Sequence, residues 1–518
     1  MKAKTFLAIA TLLAFGQGAW AQTSSFPETD NEKGTEAKPF LIEKIEDLNA
    51  LASDVNSGTD YSGTYFKLTT DLDYSSVALF DSDEDGTADS NFTPIGILGD
   101  SDNIPFKGIF DGDNKTIKGI IVYQPSGMEI GLFGCINDAT IKNLNLSNCK
   151  FTGNTRIGGI VGEGSGEDAL IENCYVDESV EVTGVKYVDD QTYPGNSIGG
   201  IIGFCTSMQV KDCTSKAKVT GDEAIGGIVG FMTGTNKLHS ILTECYYTGN
   251  STNVVVGERG HDDLDDNETD FIFTLLDNDS EAAISNATRL SNYDDLEANV
   301  TLSGRTLYKD NSWNTICLPF AMTAEQVTAQ LAPTKLMTLS TATFDDGTLT
   351  LNFADATEIV AGKSYIIKWT SGDDFTPTFE GVTVSSAAPT DVAGTAANFH
   401  GIYTPYSTGG ENKSMLYLGA NNKLYYPSAD MTINAFRAYF TLNGIEAGPA
   451  SSSAPAAARA FVLNFGDGDG ATGILSLSAD SKDSEDNAAW YDMQGRRLSG
   501  KPTASGIYIN NGNKIVIK

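Results

Sequence analysis

Asp81, Asp83, Asp85, Thr87 and Asp89 occupy alternate positions of one short stretch, Asp81-Ser82-Asp83-Glu84-Asp85-Gly86-Thr87-Ala88-Asp89. Carboxylates at that spacing can converge on one hard cation, Gly86 allows a sharp turn, and Thr87 can offer its carbonyl oxygen. The stretch fits a loose Asp-x-Asp-x-Asp-Gly-x-x-Asp calcium loop. It lacks the acidic residue that closes an EF-hand loop, because Phe92 stands there. Calcium is the cofactor this pattern implies, and a solvated acidic loop is the plain alternative. The run His261-Asp262-Asp263-Leu264-Asp265-Asp266 reads more simply as linker, and Asp467-Gly468-Asp469-Gly470 as a turn.

Catalytic chemistry has little to stand on. There are three histidines, His239, His261 and His400, and none is spaced as a zinc pair. Gly162-Glu163-Gly164-Ser165-Gly166 has the wrong spacing for a nucleophile elbow. No catalytic residue is assigned. Tyr403, Tyr406 and Tyr425-Tyr426 could form a binding platform for sugars or proteins, against the commoner role of aromatics as core.

The elements that carry these residues are announced by one phrase in four copies. It reads Ile130-Gly131-Leu132-Phe133-Gly134, Ile157-Gly158-Gly159-Ile160-Val161-Gly162, Ile198-Gly199-Gly200-Ile201-Ile202-Gly203 and Ile225-Gly226-Gly227-Ile228-Val229-Gly230. Such a repeat predicts stacked coils, with Ile and Val piled on their own copies about 4.8 Å apart. Cys149, Cys174, Cys213 and Cys245 follow successive phrases at similar places and are expected as one column of buried thiols, with disulfide bridging as the alternative. Residues 44–57 place Ile45, Leu48, Leu51 and Val55 at helical steps before Gly58, which predicts a helix covering the open end of the stack.

Further along, 301–467 holds many short strand patterns divided by Gly, Asn and Pro, with a helix expected at 324–331. The fold class expected is all-β: an N-terminal parallel β-helix with a capping helix, an antiparallel β-sandwich, and a small C-terminal β-module. The boundaries read as a secretory leader at 1–21, β-helix at 39–258, acidic connector at 259–300, sandwich at 301–467, linker at 468–489 and C-terminal module at 490–518. The leader reading rests on Lys2, Lys4, the apolar run Phe6 to Phe15 and Ala19-Trp20-Ala21. A formal net charge of −34 over 518 residues disfavours nucleic acid and anionic membrane surfaces as partners. No stretch after the leader is long and apolar enough for a membrane helix.

Residues 39–256 resemble the GLUG-motif family of bacterial surface and adhesin-like proteins, through the four phrases and the lead-in Phe106 to Gly119. The first phrase departs from the pattern in lacking the second glycine. Trp313–Phe320 and Phe436–Phe440 resemble a β-sandwich module of secreted Bacteroidetes proteins. Tyr491-Asp492-Met493-Gln494-Gly495-Arg496-Arg497, with Gly506-Ile507-Tyr508-Ile509 and Lys514, resembles the C-terminal sorting domains of type IX secretion. These resemblances imply export, display at the cell surface, and partnership of the tail with the secretion machinery. The expected function is adhesion or binding to host or microbial glycans or proteins. An exported polysaccharide lyase or hydrolase and a passive structural surface protein are the alternatives.

Overall fold

The computed structural model describes residues 25–26, 33–83, 85–98, 103–188, 192–234, 240–249, 254–260, 271–419, 422–448 and 457–466, together with the backbone of 475–476, 478–479, 490–491, 506–510 and 513–517. The leader expected at 1–21 lies outside them, as do the acidic run 261–266 and the Asp467–Gly470 turn. The chain divides into two units, residues 1–240 with 249–262, and residues 241–248 with 263–518.

The first unit is a parallel β-helix with three walls. Each glycine phrase opens a wall in which Ile130, Ile157, Ile198 and Ile225 fall in register on successive coils. The next wall stacks Ile109–Lys118, Thr140–Ser147, Leu170–Glu172 and Gln209–Lys211 in parallel. The third stacks Ile121–Tyr123, Lys150–Gly153, Glu181–Gly184 and Lys218–Thr220. Phe110, Ile141, Ile171 and Val210 point inward and are almost fully buried, so like side chains pile into a continuous apolar core.

Both outer glycines of the phrase are dictated by space. A β-carbon on Gly158, Gly199 or Gly226 would lie 2.0, 1.9 or 1.8 Å from the carbonyl oxygen of Val161, Ile202 or Val229, within the same turn. The last glycine faces the coil before it. A β-carbon on Gly203 would lie 2.4 Å from the Ile157 nitrogen and 2.5 Å from the Arg156 carbonyl carbon, and one on Gly230 would lie 2.3 Å from the Ile198 nitrogen. The residues met by Gly162, Gly203 and Gly230 are Glu129, Arg156 and Ser197, which all have left-handed backbones with φ of 53°, 60° and 60°. The phrase is therefore a site of backbone-on-backbone packing with no room for a side chain.

The helix Ile45–Asn56 caps the start of the stack and buries Leu48, Leu51, Ala52 and Val55. Asp47 Oδ2 accepts the backbone N–H groups of Glu43 and Lys44, which satisfies donors at its N-terminus. The Asn56 amide donates to the Pro94 carbonyl and accepts from the Gly96 N–H.

All seven cysteines are free and buried, but the four-membered column is corrected. Lys142 pairs with Glu172 and Asn145 with Tyr175, so Cys174 lies opposite Leu144. Cys174 and Cys213 then share a column. Cys149 belongs to the next corner, one residue before the Lys150↔Glu181 pair, opposite Val180. The confusion has a structural cause. Asn143, Asn148 and Asn173 all adopt left-handed turns, and the residue matching Asn173 is Asn143, to whose Oδ1 Asn173 Nδ2 donates at 2.8 Å.

In the second unit two sheets face each other. One runs Asn314–Cys317, Ser364–Lys368, Lys335–Asp345, Thr348–Asp355, Ala460–Asn464, and the other contains Ala397–Ile402, Arg437–Leu442, Met415–Leu418 and Leu424–Tyr426. Leu351, Phe353, Phe399, Leu416, Phe440 and Phe461 form the core between them. Within these two sheets pairing is antiparallel apart from Thr348–Asp355 beside Ala460–Asn464 and Leu424–Tyr426 beside Ser478–Ala479, which run parallel. The helix expected at 324–331 is present as an α-turn at Ala324–Gln326 running into a π-turn at Val327–Leu331.

The connector expected at 259–300 is corrected over its described part. Phe271–Leu276 and Glu297–Ser303 are parallel strands, with the helix Asn286–Asn292 between them. Phe271, Phe273 and Leu275 are buried on one face, an alternation overshadowed in the sequence by the acidic run before it. At the C-terminus Trp490–Tyr491, Gly506–Asn510 and Asn513–Ile517 form a small antiparallel sheet.

Candidate functional site

The acidic loop is a closed bulge of the first unit. Phe80 and Ser90 bridge antiparallel across its neck, with Phe80 N–H donating to the Ser90 carbonyl at 2.7 Å. Inside it the carboxylates curl the backbone back on itself. Asp81 Oδ2 accepts from Gly86 N–H at 2.9 Å, and Asp85 Oδ1 accepts from Thr87 N–H at 2.7 Å. Gly86, with φ of +93°, makes the turn that the sequence required of it.

The result gathers Asp81, Asp83 and Asp85, which can each offer an oxygen within 4.8 Å of the others. Asp89 is not part of this set. It stands at the neck, where its Oδ1 accepts from the Ser90 hydroxyl. Burial raises the Asp89 pKa above its ordinary value, and the charges of Asp83, Asp85 and Asp81 raise it further. Thr87 and Asp89 line, with Asp85, Tyr123 and Lys150, a shallow cavity of about 400 Å³. Three carboxylates in mutual repulsion, Asp81 and Asp85 exposed and Asp83 half-buried, can be relieved by a divalent cation. Calorimetry on the folded chain is expected to show calcium binding in the range of extracellular modules, of order 0.1–1 mM. Asp83→Ala with Asp85→Ala is expected to remove it. An absence of heat with the unaltered chain would overturn the assignment.

The proposed aromatic platform is split by the structure. Tyr403 and Tyr426 are core residues, and the Tyr403 hydroxyl donates to the Leu318 carbonyl at 3.1 Å. Tyr406 and Tyr425 reach the surface, stacked on Tyr439 and Tyr417 with ring centroids 5.2 and 5.8 Å apart. Of the histidines, His400 alone is described; its Nδ1 lies 2.5 Å from Asp391 Oδ1, beside the Tyr439 ring.

Sequence reasoning missed a charge cluster in the stack. Arg156 Nη1 donates to Glu129 Oε1 at 3.0 Å and to Glu163 Oε2 at 2.5 Å, and its guanidinium lies over the Phe204 ring at 5.1 Å. The Glu129 and Glu163 side chains are only 5% and 17% exposed. Burial raises the Glu129 pKa to about 7 despite the opposing pull of Arg156, and Glu163 adds to the rise. The signal was available: Glu129 and Arg156 fill the slot before the phrase isoleucine, which holds Ser197 and Ala224 in the other copies.

No protein-family profile matches the chain. It is 30% identical over 211 residues to halomucin of Haloquadratum walsbyi, a match covering 39% of this chain and 2% of that protein. The chain thus spans a small fraction of its relative's length. Among solved structures, a crystal structure from Bacteroides ovatus, provisionally named an immunoglobulin A1 protease, superposes with a TM-score of 0.33 at 21% identity. The superposition covers 47% of this chain and 66% of that one. A TM-score this low does not establish a shared architecture. No helix among the described residues is long and apolar enough to cross a membrane.

Proposed function

We propose that this chain is a secreted, surface-located binding protein that engages glycans or proteins without turning them over. The observation that carries the reading is the close-packed glycine seam, which makes the first unit a stiff scaffold able to hold loops such as 81–89 at its surface. Backbones that meet without intervening side chains leave little freedom for the closing motions that assemble a reaction pocket. An extracellular setting is supported by the leader-like residues 1–21 and by the likeness to halomucin, by its name a mucin. In the fuller form of the proposal, residues 490–518 address the chain to a type IX-like export route, so their removal traps it in the periplasm.

The direct test compares a deletion strain with its parent on panels of matrix proteins and glycans. The parent is expected to bind at least one surface that the deletion strain does not. Equal binding on every surface would overturn the reading. The Glu129–Arg156–Glu163 cluster favours one second reading, because glycoside hydrolysis uses a pair of carboxylates of which one is raised in pKa, as burial does for Glu129. Release of reducing ends from a polysaccharide panel, lost on Glu129→Gln, would establish that reading instead.

A further inference from the structure

Arg305 lies on the wall of a cavity of about 440 Å³ in the second unit, together with Tyr308, Asp310, Ser312, Trp313 and Arg437. It is only 4% exposed. Its Nη1 donates to the Thr306 carbonyl and its Nη2 to the Thr315 carbonyl, but no acceptor among the described residues reaches its buried Nε–H. No carboxylate among the described residues pairs with it. Asp277, whose charge acts on it, is engaged elsewhere: both terminal nitrogens of Arg437 donate to it, and Asn434 Nδ2 does so at 2.7 Å. Burial and the charge of Arg437 lower the Arg305 pKa to about 9, partly offset by Asp277, which leaves it cationic at neutral pH.

A buried cation without a paired carboxylate is costly, and an anion held beside its guanidinium relieves that cost. Arg305 has one surplus charge and spare donors, which suit a single carboxylate. The remaining wall suits a ring bearing hydroxyls. Tyr308 is half exposed, and its backbone is pinned because Asn314 accepts from its N–H and donates to its carbonyl, both at 2.9 Å. The exposed Tyr308 ring, the hydroxyls of Tyr308 and Ser312, and the Asp310 carboxylate offer stacking and hydrogen bonds to a sugar. The volume lies in the range of small-ligand sites.

We propose that this cavity binds an acidic sugar unit, with Arg305 holding its carboxylate and Tyr308 flanking its ring. The proposal rests on the surface-binding reading above and gives it a ligand class and a site.

The test titrates the purified full chain with glucuronate, galacturonate and N-acetylneuraminate, with glucose and galactose as uncharged controls and acetate as a carboxylate without a ring. At least one acidic sugar is expected to bind, with its uncharged counterpart and acetate each at least about tenfold weaker. Arg305→Lys keeps the charge, loses the planar fork, and is expected to weaken binding about tenfold or more. Tyr308→Ala, at the exposed rim, is expected to weaken it severalfold with an unchanged unfolding midpoint, so the result does not depend on the buried position folding. The proposal is overturned if no acidic sugar binds, if glucose or acetate binds equally well, or if Tyr308→Ala leaves affinity unchanged. Cell-surface binding that persists in both variants would overturn the cavity assignment and leave the surface-binding reading standing. Acidic sugars held in the cavity by a chain that binds no surface would do the reverse.

Discussion

Gly203→Ala is expected to destabilise the β-helix by more than about 3 kcal/mol, or to prevent its folding. The new methyl group would sit 2.4 Å from the Ile157 nitrogen, 2.5 Å from the Arg156 carbonyl carbon and 2.7 Å from the Gly162 oxygen. All three are backbone atoms of the preceding coil. No rotamer change can relieve them, so either the coils part or the hydrogen bonds of the stack break. Gly409→Ala is the control. Its φ of +69° is strained for alanine, but nothing lies within 4 Å, so the cost is expected to be about 1 kcal/mol. Denaturant unfolding of both variants checks the contrast. A Gly203→Ala protein within about 0.5 kcal/mol of the unaltered chain would contradict the packing described for the phrase.

Arg156→Ala is expected to cost about 3–5 kcal/mol near neutral pH, the range for stripping the partner from buried charges. The change leaves two little-exposed carboxylates, Glu129 and Glu163, facing each other without a cation. The deficit is expected to depend on pH in a definite direction. Burial raises the Glu129 pKa from 4.5 to about 7 in the folded chain, so between those values the folded state binds more proton than the unfolded state. The stability associated with this group is therefore full below about pH 4.5 and is lost as pH rises through about 7. Removing Arg156 takes away the charge that opposes the shift, so the deficit should be largest above about pH 7 and shrink towards pH 5. Glu129→Gln in the unaltered background should flatten the same window. A deficit that stays constant from about pH 5 to pH 8 would show that Glu129 does not titrate there.

The parts of this fold that repeat were readable from the chain, because a stack puts equal residues in equal places. Ile157 and Ile198 announce a wall, and Leu48, Leu51 and Val55 announce a helix with one buried face. The Asp81–Asp89 loop was also legible, since its geometry comes from its own backbone turns. What escaped was register and distance. Asn148-Cys149 and Asn173-Cys174 look alike because both follow the same left-handed turn, yet they occupy different corners, which only strand pairing reveals. Phe271–Leu276 was hidden by the acidic residues before it. The Arg305 cavity could not be found from spacing, since its wall draws on residues near 305–315, 418–419 and 437, joined only by the fold. Asp89 shows the converse limit: its spacing fits the cation motif, but the turn at Gly86 carries it away from the three carboxylates that converge.

The most direct test of the stacked coil is a cross-link between neighbouring coils. Thr183 and Thr220 are in-register partners on parallel strands, with the Thr220 hydroxyl donating to Thr183 Oγ1 at 3.2 Å. Thr183→Cys with Thr220→Cys should form a disulfide under mild oxidation, read as an intramolecular bond by mass spectrometry. Thr183→Cys with Lys218→Cys, two residues out of register, should not, because its Cα atoms lie beyond the roughly 7 Å that a disulfide spans. The reverse pattern, or equal bridging in both, would contradict the parallel in-register stack on which the proposed role depends.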